Sequence, residues 1–145
     1  GTGVASSLPV YVANALAKTF DIVLVEGLGG LLAPFTRKDL LTDIIEVLDL
    51  PLIIVADNKL GAINQTLLTI ESARLRRLMI KGIVWTETEP NRPRDILVEN
   101  ERIVTELTSI PTLFRVPYLN TLSKPNYSVS SELMDTTKAC LSMLI

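Results

Sequence analysis

The sequence predicts an α/β fold, a three-layer unit in which a parallel sheet carries helices on both faces. Three observations predict it. Short runs of Val, Ile and Leu lack polar alternation, as strands do when both faces of a sheet are covered. Stretches of helical period separate these runs, which is what crossovers between parallel strands require. Turn residues stand at the joins: Pro51 enters a strand, Gly61 opens a helix and Pro111 precedes a strand.

In chain order, residues 10–18 begin a helical pattern that places Val12, Leu16 and Phe20 on one side. The first apolar run, residues 22–25, follows as a predicted strand. Residues 40–48 repeat Leu40, Ile44, Ile45 and Leu48 at helical spacing, and residues 52–55 form the second strand. Residues 62–79 carry Ile63, Leu67, Ile70, Ala73 and Leu78, and residues 80–85 the third strand. Residues 93–107 carry Ile96, Val98, Ile103 and Leu107, and residues 112–116 the fourth strand. A last amphipathic segment spans 130–144. No repeat, low-complexity stretch or linker interrupts the pattern, so residues 1–145 are expected to form a single α/β domain.

Composition narrows the chemistry. A chain of 145 residues suffices for one core. Its net charge of −2 gives no electrostatic reason to expect nucleic acid or an anionic membrane as partner. No apolar run approaches the ~20 residues of a bilayer span, and the opening residues do not read as a signal peptide. A cytoplasmic protein is expected. The single cysteine, Cys140, lies in an apolar stretch and reads as a small buried residue. The chain has no histidine, which excludes imidazole general bases, Ser-His-Asp triads and zinc sites built on imidazole. Catalysis would fall to carboxylates, backbone amides, lysine or a hard cation.

In open parallel sheets, ligands bind beyond the carboxyl ends of the strands. After the first run stands Glu26-Gly27-Leu28-Gly29-Gly30. Its glycines let backbone N–H groups approach an anion, and its carboxylate can face that anion through magnesium. A glycine-rich turn beside a solvated glutamate explains the same residues. After the second strand stands Asp57-Asn58-Lys59-Leu60-Gly61-Ala62-Ile63-Asn64. The open amides of the helix that starts there suit a carboxylate or phosphate, with Asn64 adding a side-chain amide. Plain helix capping by Asn58 or Gly61 is the alternative. Thr86 to Asn91 and Pro117 to Asn120 follow the last two strands, and either turn could wall a nucleotide base.

In this order the segments resemble the dethiobiotin synthetase family. Asp21 to Pro34, with Val25-Glu26-Gly27-Leu28-Gly29-Gly30, is similar to the family's V-E-G-A-G-G strand and loop. Leu50 to Val55 resembles the next strand. Lys59-Leu60-Gly61-Ala62-Ile63-Asn64-Gln65-Thr66-Leu67-Leu68-Thr69 resembles K-L-G-x-I-N-H-T-L-L-T. Lys81 to Val84 resembles a later strand, and Val116-Pro117-Tyr118-Leu119 the I-P-Y-L turn.

The resemblance implies a P-loop NTPase-like fold with its N-terminal part missing. It also implies an ATP-dependent cyclo-ligase that joins 7,8-diaminopelargonate and CO2 in biotin synthesis. It assigns Glu26 to Mg2+ and Gly27, Gly29 and Gly30 to the border of the carbamate and phosphate. Gly61, Ala62, Ile63 and Asn64 would receive the substrate's distal carboxylate. Thr86, Pro117 and Leu119 would flank the adenine of ATP. In the family the tail contact comes from the neighbouring subunit, which implies a homodimer.

Three departures qualify what is implied. The family's phosphate loop, G-x-x-x-x-x-G-K-T, has no counterpart in Gly1-Thr2-Gly3-Val4-Ala5-Ser6-Ser7. The chain as written is therefore expected to be inactive unless that loop is supplied, and to carry an open hydrophobic edge. Thr86 replaces an asparagine that reads adenine, which loosens the expected nucleotide preference. Gln65 replaces a frequent histidine that the mechanism does not require. Two other readings share these residues: an amidoligase related to those of cobalamin synthesis, and a non-catalytic binding or regulatory module.

Overall fold

A computed structural model of the chain describes residues 4–118. They fall into two compact units, one of residues 4–52 and 68–80, the other of residues 53–67 and 81–118. Among the described residues, no helix is long and apolar enough to cross a membrane. The expected segment at 130–144, Cys140 and Leu119 lie outside the described residues.

In the first unit, helix α1 (Val4–Leu16) lies against helix α2 (Leu41–Leu48). The sequence pattern places the start of α1 six residues too late. Pro9 within it lacks the N–H that an interior helical residue donates, so the residues before it do not read as helix. Val12, Leu16 and Phe20, expected to share a buried side, are all exposed, whereas Ala13 is buried.

The expected first strand is absent. Residues 22–25 join no ladder, and Ile22, Leu24 and Val25 are exposed. The run has the composition of a doubly covered strand, but a strand exists through hydrogen bonds to a neighbour. Among the described residues none pairs with it.

Beyond the glycines the chain folds back on itself. Ala33 N–H bonds the Gly30 carbonyl at 2.8 Å, and an antiparallel bridge joins Pro34 to Leu40. The turn between them is closed by the Thr36 hydroxyl, which donates to Asp39 Oδ2 at 2.7 Å and accepts from the Lys38 and Asp39 N–H groups. Helix α2 then starts with the Asp43 carboxylate accepting from Leu40 N–H at 2.6 Å, which satisfies a donor ahead of the first helical turn. It ends on Asp49 in the left-handed conformation, with φ 50°.

The sheet comprises β1 (Leu52–Asp57), β2 (Ile80–Thr86) and β3 (Thr112–Val116) in the order β1-β2-β3. Leu52 N–H bonds the Met79 carbonyl and Asn58 N–H the Thr86 carbonyl, so β1 and β2 advance together. β2 and β3 are parallel, with Trp85 beside Arg115 and Thr86 beside Val116. Four consecutive β2 residues, Gly82 to Trp85, are buried. Successive residues point to opposite faces, so both faces of β2 are covered, as its unbroken apolar run requires. Gly82 is glycine for want of space. A Cβ there would lie 2.6 Å from Leu113 Cγ and 2.9 Å from the Pro111 carbonyl oxygen. Trp85 is core, 1% exposed, and its indole N–H donates to Thr112 Oγ1 at 3.1 Å.

Helix α3 (Ala62–Leu75) leads from β1 towards β2, and helix α4 (Arg94–Thr108) joins β2 to β3. In α4 the expected apolar stripe is corrected. Ile96, Val98 and Leu107 are exposed, whereas Leu97, Glu101, Val104 and Thr108 are buried. These four share one helix face by spacing. Glu101 is tolerated there because Arg115 Nε lies 2.7 Å from both of its carboxylate oxygens.

Candidate functional site

The second unit contains a cavity of about 620 Å3 at the carboxyl end of β1. One wall is the β1–α3 turn with the first residues of α3, from Asn58 to Asn64, with Leu67. The other is the entry to α4: Arg92, Pro93, Ile96, Leu97 and Asn100. All four residues expected at the substrate tail, Gly61, Ala62, Ile63 and Asn64, line it.

The turn folds this way for local reasons. Gly61 has φ +87°, a conformation that costs an L side chain about 1–2 kcal/mol and glycine almost nothing. Added bulk would meet only the Gln65 side chain at 3.8 Å, so backbone conformation, not crowding, selects glycine here. Ala62 N–H bonds the Lys59 carbonyl, and the first i→i−4 bond runs from Gln65 N–H to the Gly61 carbonyl. The Ile63 and Asn64 N–H groups precede that bond and take no backbone acceptor among the described residues. Helix α3 thus presents open donors and its positive end to a largely apolar cavity.

Asn58 does not cap α3, contrary to one sequence-based expectation. It is 1% exposed; its Nδ2 donates to the Leu97 carbonyl at 3.0 Å, and its Oδ1 accepts from Asn100 Nδ2 at 2.8 Å. Arg92, Asn58 and Asn100 were not singled out as wall residues from the sequence. The available signal was the spacing of Ile96, Leu97 and Asn100, which a helix starting at Arg94 gathers on one side; Arg92 lies before the helix and no spacing places it there.

Beside the cavity, Asp57 lies 2.7 Å from Lys59 Nζ and accepts from the Thr88 hydroxyl at 2.9 Å. Burial pushes its carboxyl up, but the Lys59 and Thr88 hydrogen bonds and the Lys59 and Arg92 charges outweigh burial and hold it below its ordinary value. Arg92 pairs with Glu89 at 2.6 Å.

The remaining expected residues fall in two places. Thr86 and Pro117 stand side by side at the carboxyl ends of β2 and β3, where Thr86 is level with Val116 and Glu87 N–H bonds the Val116 carbonyl. The Thr86 hydroxyl donates to the Ala56 carbonyl at 3.4 Å, and the Thr86 carbonyl accepts from Asn58 N–H. Glu26, Gly27, Gly29 and Gly30 lie in one exposed loop of the first unit. Gly29 has φ +80°, Gly30 faces open space, and a Cβ on Gly27 would strike the Leu41 side chain. The Leu41 side chain can move aside, so crowding does not require glycine at Gly27, while backbone conformation selects it at Gly29.

Among the described residues, no group of three or more potential ligands could hold a metal ion by itself. Glu26 is a single exposed carboxylate beside open backbone. Such a residue fits magnesium, which commonly uses one or two protein carboxylates together with water and substrate phosphates. It does not fit a cation caged entirely by protein.

Residues 3–126 match the model of a family described as an AAA domain. The chain is 34% identical over 118 residues to an ATP-dependent dethiobiotin synthetase of Thermodesulfovibrio yellowstonii, covering 77% of this chain and 49% of that protein. It is 38% identical over 108 residues to the enzyme of the same name from Bacillus cereus, covering 72% and 43%. With the biotin biosynthesis bifunctional protein of Bordetella avium it shares 32% identity over 127 residues, covering 88% and 26%. The chain spans about half the length of the first curated relatives it matches.

Proposed function

The chain belongs to the AAA domain family, and from that premise we propose the activity of an ATP-dependent dethiobiotin synthetase, which closes a cyclic urea from 7,8-diaminopelargonate and CO2. The observation that carries this reading is that the first residues of α3, including Ile63 and Asn64 whose amides take no backbone acceptor among the described residues, line an apolar cavity. Diaminopelargonate has a carboxylate at the end of an alkyl chain. Open amides suit the carboxylate, and Ile63, Leu67, Ile96 and Leu97 suit the chain.

In the proposed reaction, a carbamate oxygen formed on one substrate amine attacks the γ-phosphorus of ATP and releases ADP. The second amine then attacks the carbonyl of the resulting mixed anhydride, and the bond to phosphate breaks. Phosphoryl transfer asks the protein chiefly for positioning and charge stabilisation. Gly61, Ala62, Ile63 and Asn64 fix the tail. Gly27, Gly29 and Gly30 let backbone border the carbamate and phosphate, while Thr86, Pro117 and Leu119 flank the adenine. Glu26 would hold Mg2+, which supplies charge neutralisation at the phosphates when bound. The reading extends to a cytoplasmic homodimer in which one subunit's Gly61–Asn64 turn receives the tail of the substrate bound by its partner.

Titration of diaminopelargonate into 15N-labelled protein tests the tail site. The amide resonances of Gly61 to Asn64 should move, and 7,8-diaminononane, which lacks the carboxylate, should bind at least about tenfold more weakly. Equal affinity for the two compounds would refute the site.

One observation favours a second reading, a binding module without catalysis. Both the hydroxyl and the carbonyl of Thr86 are engaged within the sheet, which leaves that residue little with which to read a base. ATP titration with the phosphate loop supplied separates the two readings, since only the enzyme must then bind nucleotide.

A further inference from the structure

We propose that Asn58 is a positioning residue that sets the separation of the cavity's two walls, and with it the length of alkyl chain the cavity accepts. The inference rests on the reading of this cavity as the substrate-tail site.

The walls are the segments around residues 58–67 and 92–100. Apolar contact between them is non-directional and specifies no particular spacing. Directional bonds do, and Asn58 supplies them. Its backbone N–H is held by the Thr86 carbonyl at 2.8 Å, which fixes its Cα at the end of β2. Its side chain then grips α4 twice, donating to the Leu97 carbonyl and accepting from Asn100.

The Leu97 carbonyl can only accept, so the amide orientation is determined: Nδ2 faces Leu97 and Oδ1 faces Asn100. A hydroxyl of similar size also donates and accepts, but through a single atom; the amide carries its donor and its acceptor on two atoms, as reaching Leu97 and Asn100 together requires. Aspartate loses the donor and leucine loses both bonds. At 1% exposure, water does not replace what is lost. Because Leu97 and Asn100 also line the cavity, any change in the grip moves the surface that a ligand touches.

The test is calorimetric binding of a series of linear carboxylates to the wild-type chain, to Asn58→Asp and to Asn100→Ala, each well below its unfolding midpoint. The wild type should favour one chain length, with affinity falling by about fourfold per methylene added or removed. Both variants should flatten that preference to less than about twofold and weaken the best ligand by about tenfold, since catalytic and binding geometry tolerates only small displacements. A role in stability alone lowers the unfolding midpoint without changing the length profile. Folded variants that keep the wild-type profile overturn the inference, whatever their affinity, and leave the site reading intact. Failure of the wild type to bind any of the carboxylates overturns both. Should Asn58→Asp not fold, Asn100→Ala decides by the same criteria, because it leaves the bond to Leu97 in place.

Discussion

At the scale of single residues, Asp57 shows opposing influences resolved in one direction. Burial disfavours its charge, and two hydrogen bonds with two nearby cations more than restore it, so its folded pKa lies below the ordinary 3.8. The sign of the linkage follows. A carboxyl with a lowered folded pKa contributes stability that is fully present above 3.8 and is lost as pH falls through the folded value. Urea unfolding followed across acid pH should therefore show a decline that Asp57→Asn makes shallower, by about 1 kcal/mol or less for so partly exposed a group. An identical pH dependence in the variant would exclude the effect. Asn58, next along the chain, was legible in sequence only as a candidate helix cap. Its true partners, Leu97 and Asn100, are 39 and 42 positions away, and no local pattern announces such a pairing.

At the scale of elements, α4 shows why its buried face was misread. Counting apolar residues selects Ile96, Val98, Ile103 and Leu107, yet the buried stripe includes Glu101 and Thr108. Both are satisfied, Thr108 locally and Glu101 from another element. Thr108 Oγ1 donates to the Val104 carbonyl at 2.7 Å and accepts from Ile110 N–H, while Glu101 meets Arg115 from β3. The ion pair is lopsided, with the Glu101 side chain 5% exposed and that of Arg115 51% exposed. Arg115→Leu should leave a buried carboxylate unpaired and cost about 1–3 kcal/mol, below the usual range for a buried pair because Arg115 is half solvated. Adding Glu101→Leu should recover most of that loss, and urea denaturation of the single and double variants measures both. Three of the four expected strands are present; the run at 22–25 joins no ladder among the described residues. β1 and β2 hold unbroken apolar stretches, Leu52 to Ala56 and Gly82 to Trp85, and the burial of both faces of β2 is the physical reason for the second, whereas Arg115 interrupts β3.

At the scale of the whole molecule, the buried apolar side chains among the described residues are unevenly distributed between the two units. Ile54, Ala56, Ile83, Val84, Trp85, Leu97, Val104 and Ile110 are buried in the second, against Ala13, Ile44, Ile70 and Ala73 in the first. Regions with fewer buried contacts open at lower free energy. The chain has one tryptophan, and Trp85 lies in the better-buried unit. In a urea titration, far-UV circular dichroism should begin to fall before Trp85 emission shifts to the red. Coincident transitions would mean that the two units unfold as one. The sequence made the sheet and the Gly61 turn legible because each is encoded in neighbouring residues. The second wall of the cavity was not, because it arrives from α4 through tertiary contact.

The unpaired run from Ile22 to Val25 has a consequence for handling the protein. Four apolar residues that join no ladder among the described residues offer a template on which a second molecule can add a strand, the first step towards cross-β association. Asp21 and Glu26 bracket the run, one charge at each end. In that position they serve as gatekeepers, since stacking copies of the segment in register would also stack their like charges. The carboxylate proposed to face magnesium would thus have a second duty, as part of what keeps the chain dispersed in solution.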